Sequence, residues 1–231
     1  MKDPYTYDGT NILINKADIR NQAKLDEYET TMVQLALIDL MKKDFVINTV
    51  FDIYIIHGLL FQEVYEWAGK KRTINIYKNE PVLDGMSVSY TDCNYIDEDL
   101  KRVDKELLSI KWESLNSEEK IKKIRRIIAD IWRAHAFREG NTRTVSVFLY
   151  FLTKKIGMEL NTSFIEHNAK FFRNALVMAS IDEYSEYQHL EGFLTDATTI
   201  RTNSYNIEKY KVINDYNLDE YEYNYHEIKR Q

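Results

Sequence analysis

One cysteine, two prolines and seven glycines among 231 residues leave little from which a disulfide scaffold or a loop-rich fold is built. A single cysteine, Cys93, excludes an internal disulfide and fits a reducing compartment. Five scattered histidines without a His-Glu-x-x-His pair offer no zinc-ligand set. The longest apolar stretch, 145–152, is broken by Ser146 and falls far short of a membrane span. The opening Met1-Lys-Asp-Pro4 lacks the apolar core of a signal peptide, so a cytoplasmic protein without a membrane partner is expected. A formal net charge of −6 gives no basic face for nucleic acid, and none is expected as a partner. The phosphate-cradling Gly-x4-Gly-Lys-Ser/Thr loop, the Gly-x-Gly-x-x-Gly fingerprint and the Gly-x-Ser-x-Gly nucleophile elbow are all missing.

What is present favours helix. Few prolines and glycines, with 44% hydrophobic residues, predict long helices around a substantial core. Apolar periodicity places helices at about 23–43, 47–67, 97–109, 117–134 and 142–155, with two or three more within 164–200. The second carries apolar residues at 50, 51, 53–56, 59–61 and 64, wider than an amphipathic stripe, so it should be central and largely buried. His57 lies within it and reads as a hydrogen-bonded core residue. Residues 72–90 are the exception: Thr73-Ile-Asn-Ile-Tyr77 and Met86-Ser-Val-Ser-Tyr90 alternate around Asp84-Gly85, which predicts a β-hairpin flap. The expected architecture is therefore an all-α body, residues 1–200, with one small β-hairpin. Residues 201–231 follow as a C-terminal helix (203–214) and a tyrosine-rich tail.

Chemistry concentrates in His135-Ala-Phe-Arg-Glu-Gly-Asn-Thr-Arg143, between two apolar helices. Gly140 and Asn141 suit a sharp turn with positive φ. A helix starting near Thr142 aims free N–H groups at that turn, which favours an anion. Arg143 adds a planar cationic fork suited to phosphate. Glu139 is a hard oxygen ligand of the kind that holds Mg²⁺ against phosphates. His135, at the end of the preceding helix, is placed to accept a proton from a hydroxyl. Singly, each has a bland reading: a dipole-complementing histidine, ordinary turn residues, Phe137 as a core anchor. Together they describe nucleotide–Mg²⁺ binding with a general base.

This run resembles the His-x-Phe-x-Asp/Glu-Gly-Asn-x-Arg signature of the Fic family. A second stretch, Leu60-Phe-Gln-Glu-Val-Tyr-Glu-Trp-Ala-Gly-Lys-Lys-Arg-Thr-Ile-Asn-Ile-Tyr-Lys78, is similar to the segment leading into that family's substrate-docking flap. The opening Asp3-Pro-Tyr5 and Gly9-Thr-Asn-Ile-Leu13 also read like the start of many bacterial members. The likeness covers roughly residues 1–200.

The resemblance implies a protein adenylyltransferase that moves AMP from ATP to a hydroxyl of a target protein docked on the flap. In that reading His135 is the base and Glu139 the Mg²⁺ ligand. Gly140, Asn141, Thr142, Arg143 and Lys78 bind nucleotide, Lys78 by resemblance alone. Removal of AMP by the same centre, and a weakly catalytic toxin-like module held by a partner, are the competing readings. A homo-oligomer is left open. Two departures stand out: Thr142 replaces the second glycine of the signature, and Ser146 stands where many members carry a second arginine. Many members also block their own site with a Ser/Thr-x-x-x-Glu helix, for which Ser204-Tyr-Asn-Ile-Glu208 is the candidate here, giving inhibitory roles to Ser204 and Glu208.

Overall fold

A computed structural model describes residues 3–199 of the chain. Among them run eight α-helices: α1 (Gln22–Met41), α2 (Asp52–Phe61), α3 (Ile96–Ser109), α4 (Ser117–Ala134), α5 (Asn141–Lys155), α6 (Thr162–His167), α7 (Ala169–Met178) and α8 (Gln188–Thr199). The expected tail helix 203–214, with Ser204 and Glu208, lies outside the described residues.

α4 shows most directly how sequence becomes structure. Ile121, Ile124, Ile127, Ile128, Ile131 and Trp132 recur every three or four residues and all are buried. Asn116 caps the start, with its side chain accepting from the Glu119 N–H while Glu119 reaches back to the Asn116 N–H, a capping box. The buried stripe lets α4 pack against α3, α5, α7 and α8, which makes it the hub of the body. α5 is buried around most of its circumference, through Val145, Val147, Phe148, Leu149, Phe151 and Leu152, because α4 covers one side and α2 another.

α2 is central, with Ile53, Ile56, His57, Leu60 and Phe61 buried, but it is shorter than its apolar run. The Asp52 carboxylate accepts the N–H groups of Asn48 (2.6 Å) and Thr49 (3.0 Å), and Asp104 accepts that of Val50 (2.7 Å). Side chains thus satisfy the N–H groups that precede the helix start at Asp52. Ile55, about half exposed, marks the side left to solvent.

The hairpin expected at 72–90 does not form: no strand occurs among the described residues. The segment doubles back through a 3₁₀ turn at Pro81–Leu83, and Asp84 and Gly85 both take positive φ, as their turn signal required. The ladder fails for identifiable reasons. Pro81 has no N–H to give, and the Lys78 N–H goes to the Ser87 hydroxyl (3.3 Å) instead of a carbonyl. The two arms are joined through Glu80 N–H to Met86 O (3.0 Å) and through side chains.

Candidate active site

The motif run occupies the connection between α4 and α5. α4 ends at His135, whose φ of 45° turns the chain out of the helix. Gly140, at φ 82°, turns it into α5. No side chain caps α5, so its first backbone N–H groups have no side-chain partner. The Asn141 side chain accepts from the Phe137 N–H (3.0 Å) and donates to the Phe137 carbonyl (2.8 Å). Both its polar atoms therefore tie the loop shut, and what it offers a ligand is its backbone.

His135 is buried, and its Nδ1 lies 3.1 Å from the Trp132 carbonyl. A carbonyl only accepts, so Nδ1 carries the proton and Nε2 carries the lone pair. Nε2 is buried without a hydrogen-bond partner. Burial holds the imidazole well below its ordinary pKa, and the positive charges of Lys78, Arg72 and Arg173 add to that. The result is a neutral base with its free lone pair on Nε2. The Tyr90 ring, 4.0 Å away centroid to centroid, and the Trp132 indole at 5.1 Å fix the plane of the imidazole.

A cavity of about 60 Å³ beside His135 is lined by Lys78, Glu139, Gly140, Asn141, Thr142 and Arg143, together with Trp132 and Arg173. Each residue of the described chain that the sequence marks as base, metal ligand or nucleotide contact lines it. Lys78 Nζ stands 3.5 Å from Glu139 Oε2, and Arg143 reaches 4.0 Å from the other carboxylate oxygen. Burial pushes the Glu139 carboxyl up, but Lys78, the Gly140 N–H, Arg143 and Arg138 outweigh it and hold the group below its usual range, hence ionised. Arg143 also pairs with Glu29 of α1 and lies 4.8 Å over the Phe61 ring.

Both departures from the signature acquire a place. The Thr142 hydroxyl accepts the Trp132 indole N–H (2.9 Å), which ties α5 to α4 beside the pocket. The Ser146 hydroxyl donates to the Thr142 carbonyl (2.9 Å), so no cation stands at that position.

Four residues outside the sites assigned from the sequence support the loop: His57, Arg72, Arg138 and Glu29. Gly69 N–H donates to His57 Nδ1 (2.8 Å), so the opposite nitrogen bears hydrogen and donates to the Glu139 carbonyl (3.1 Å). Stacked on Phe137 at 3.8 Å and fully buried, His57 is the core residue expected, and it also anchors the loop. Burial, the largest influence, lowers its pKa to about 3. Arg72, 1% exposed, donates to the His135 carbonyl (2.8 Å) and to the Ile74 and Thr91 carbonyls. Arg138 is held by Asp3 (2.8 Å), which ties the start of the described chain to the loop. Glu29, on α1 and largely buried, pairs with Arg143. Only the local Arg72-containing segment offered a signal in the sequence, since the other contacts span 82 to 135 residues.

Comparisons with known proteins show the family. The family model described as Fic/DOC family matches residues 49–153. A probable protein adenylyltransferase, y4lH of Sinorhizobium fredii, is 35% identical over 77% of this chain and 88% of its own length. The protein adenylyltransferase VbhT of Bartonella schoenbuchensis is 28% identical over 79% of this chain but only 36% of its own. The crystal structure of BepC from Bartonella tribocorum, with bound AMPPNP, superposes with a TM-score of 0.72 at 23% identity, covering 85% of this chain and 97% of that one. On the matched motif and on the identity shared along nearly all of the Sinorhizobium protein, the chain belongs to the Fic/DOC family.

Proposed function

We propose that this chain is a protein adenylyltransferase that moves AMP from ATP to a hydroxyl side chain of a target protein, with Mg²⁺. The observation that carries the reading is the lone pair of His135 Nε2, buried and unpartnered at a pocket that also holds an ionised carboxylate and three cations. The names of the relatives from Sinorhizobium and Bartonella support it, as does the AMPPNP held by a protein of the same fold.

In this reading His135 Nε2 takes the proton of the incoming hydroxyl. The hydroxyl oxygen bonds to the α-phosphorus, the bond to the β-phosphate oxygen breaks, and pyrophosphate leaves. Free N–H groups at the start of α5 stabilise charge on the α-phosphate. Arg143 and Lys78 hold the outer phosphates, and catalysis rests on alignment and electrostatics. Glu139 suits Mg²⁺: it is an ionised oxygen donor, and no group of three or more His, Cys, Asp or Glu among the described residues is placed to cage an ion. An ion that takes its other ligands from phosphate and water fits one carboxylate. When bound, Mg²⁺ neutralises phosphate charge. The target docks along the extended arm 73–78, which borders a groove of about 680 Å³. Glu208, with Ser204, is the proposed inhibitory element.

The test is incubation with α-labelled ATP, Mg²⁺ and lysate. Label should enter protein with the wild type, and His135→Ala should lose about 10²–10⁴-fold of that rate with ATP affinity nearly kept. Label transferred only from γ-labelled ATP, or undiminished transfer by the variant, would overturn the assignment.

A further inference from the structure

α7 lies beyond the residues matched by the family model, yet it sends one side chain into the pocket. Arg173 lines the cavity with His135, Glu139 and Arg143. Its two terminal nitrogens grip the Glu80 carboxylate, NH1 to Oε2 at 2.7 Å and NH2 to Oε1 at 3.0 Å. Glu80 is fully buried and also accepts the Tyr90 hydroxyl (3.0 Å). Tyr90 in turn packs on the His135 ring.

A planar fork held bidentately is fixed in position as well as in charge. A guanidinium has five N–H donors, and Glu80 takes two. The other three are not taken by Glu80, and Arg173, about a third of its side chain exposed, lines the cavity. The remaining cations of the lining come from other directions: Lys78 from the extended arm, set against Glu139, and Arg143 from α5, set against Glu29. Each is held by a carboxylate from a different segment. Three cations, each positioned by its own carboxylate and converging on one small cavity from separate segments, match a chain of phosphates.

We infer that Arg173 is a phosphate-binding residue that contacts the outer phosphates of the bound nucleoside triphosphate from α7, with Glu80 as its fixed support. The inference rests on the adenylyl-transfer reading for the identity of its ligand. Arg173 acts on binding of the triphosphate, and through it on the pose of the α-phosphate.

The test compares binding of Mg²⁺ with AMP and with an ATP analogue that cannot be cleaved at its α-phosphate. Arg173→Gln should weaken the analogue about tenfold or more and leave AMP within about twofold, since a charge-assisted contact is lost only by the longer ligand. Arg173→Lys should restore part of the difference. Because Arg173→Gln strands a buried carboxylate, Glu80→Gln and the double variant Glu80→Gln/Arg173→Gln are measured beside it. Glu80→Gln, which loosens Arg173 but leaves its charge, should keep only part of the preference for triphosphate, and the double variant should lose it. An unchanged ratio of the two affinities in the double variant, or equal weakening of both ligands, would overturn the inference and leave Arg173 a support for Glu80. A wild-type protein that binds neither nucleotide would overturn the adenylyl-transfer reading itself.

Discussion

At the scale of single residues, the site depends on two histidines kept neutral by burial. The unfolded chain protonates each near pH 6.5, whereas His57 in the folded protein does so only near pH 3, and His135 also well below its ordinary value. Between these limits the unfolded state binds more protons, so stability is full above about pH 7 and declines as pH falls. His57 alone should remove about 2 kcal/mol between pH 8 and pH 5, and His135 acts in the same direction. Glu139 has the same sign, but its contribution is lost only below the ordinary carboxylate range. Urea unfolding at pH 8 and pH 5 checks this. A flat profile would mean that both imidazoles reach water. Both residues stood in the sequence, but only His135 had neighbours that betrayed a role. The partners of His57 are Gly69 and Glu139, and no local pattern links the three.

Among the elements, the connection between α4 and α5 turns by its own residues and is anchored by distant ones, His57, Arg72 and Asp3, with Phe61 packed against its glycine. A Cβ at Gly140 would lie 2.4 Å from Phe61 Cζ, at a φ of 82°. Gly140→Ala should therefore destabilise the protein by roughly 2–4 kcal/mol, combining backbone strain with overpacking. Thermal unfolding measures it, and a loss below about 0.5 kcal/mol would show that Phe61 yields easily. α1 and α5 are joined by Glu29 and Arg143, with Glu29 also accepting the Tyr65 hydroxyl. Arg143 is more than a third exposed, which discounts the pair. A cycle of Glu29→Gln and Arg143→Gln should still give a coupling of about 1 kcal/mol. Strict additivity would mean that α1 does not hold Arg143. The shortfall of the expected flap belongs to this scale too. Alternation from Thr73 to Tyr77 marked extended backbone, but strand pairing also needs donors aligned opposite carbonyls, which Pro81 and Ser87 deny.

For the whole molecule, the described residues share one hydrophobic core that runs from Leu25 in α1 to Ala197 in α8, and the pocket sits where α4, α5 and α7 meet the arm that carries Lys78. No helix among them is long and apolar enough to cross a membrane. Within this body Arg143 already faces one carboxylate other than Glu139, that of Glu29. If Glu208 competes for the same cation, Glu208→Gly, or truncation before Thr202, should raise self-modification or target modification severalfold. Labelling with α-labelled ATP reads this out, and equal activity in both variants and the wild type would discard the inhibitory role.

What the sequence alone determined is whatever depends on neighbours along the chain. Helix periodicity placed α4 within its observed bounds and α5 within one residue at its start. The spacing from His135 to Arg143 brought His135, Glu139 and the Gly140 turn into one loop, because a helix end, a positive-φ glycine and a helix start are local features. Only the tertiary structure decided which other groups face that loop. Arg173, Glu80, Glu29 and His57 reach it from separate segments, and such juxtapositions follow from how amphipathic faces pack rather than from any nearby residue. It also decided what each polar side chain is free to do. Asn141 is spent on Phe137, Ser146 on the Thr142 carbonyl and Thr142 on Trp132, while His135 Nε2 stays unpartnered. Hydrogen-bond partners are fixed by distances of about 3 Å in space, and spacing along a chain carries no such distance once two turns intervene.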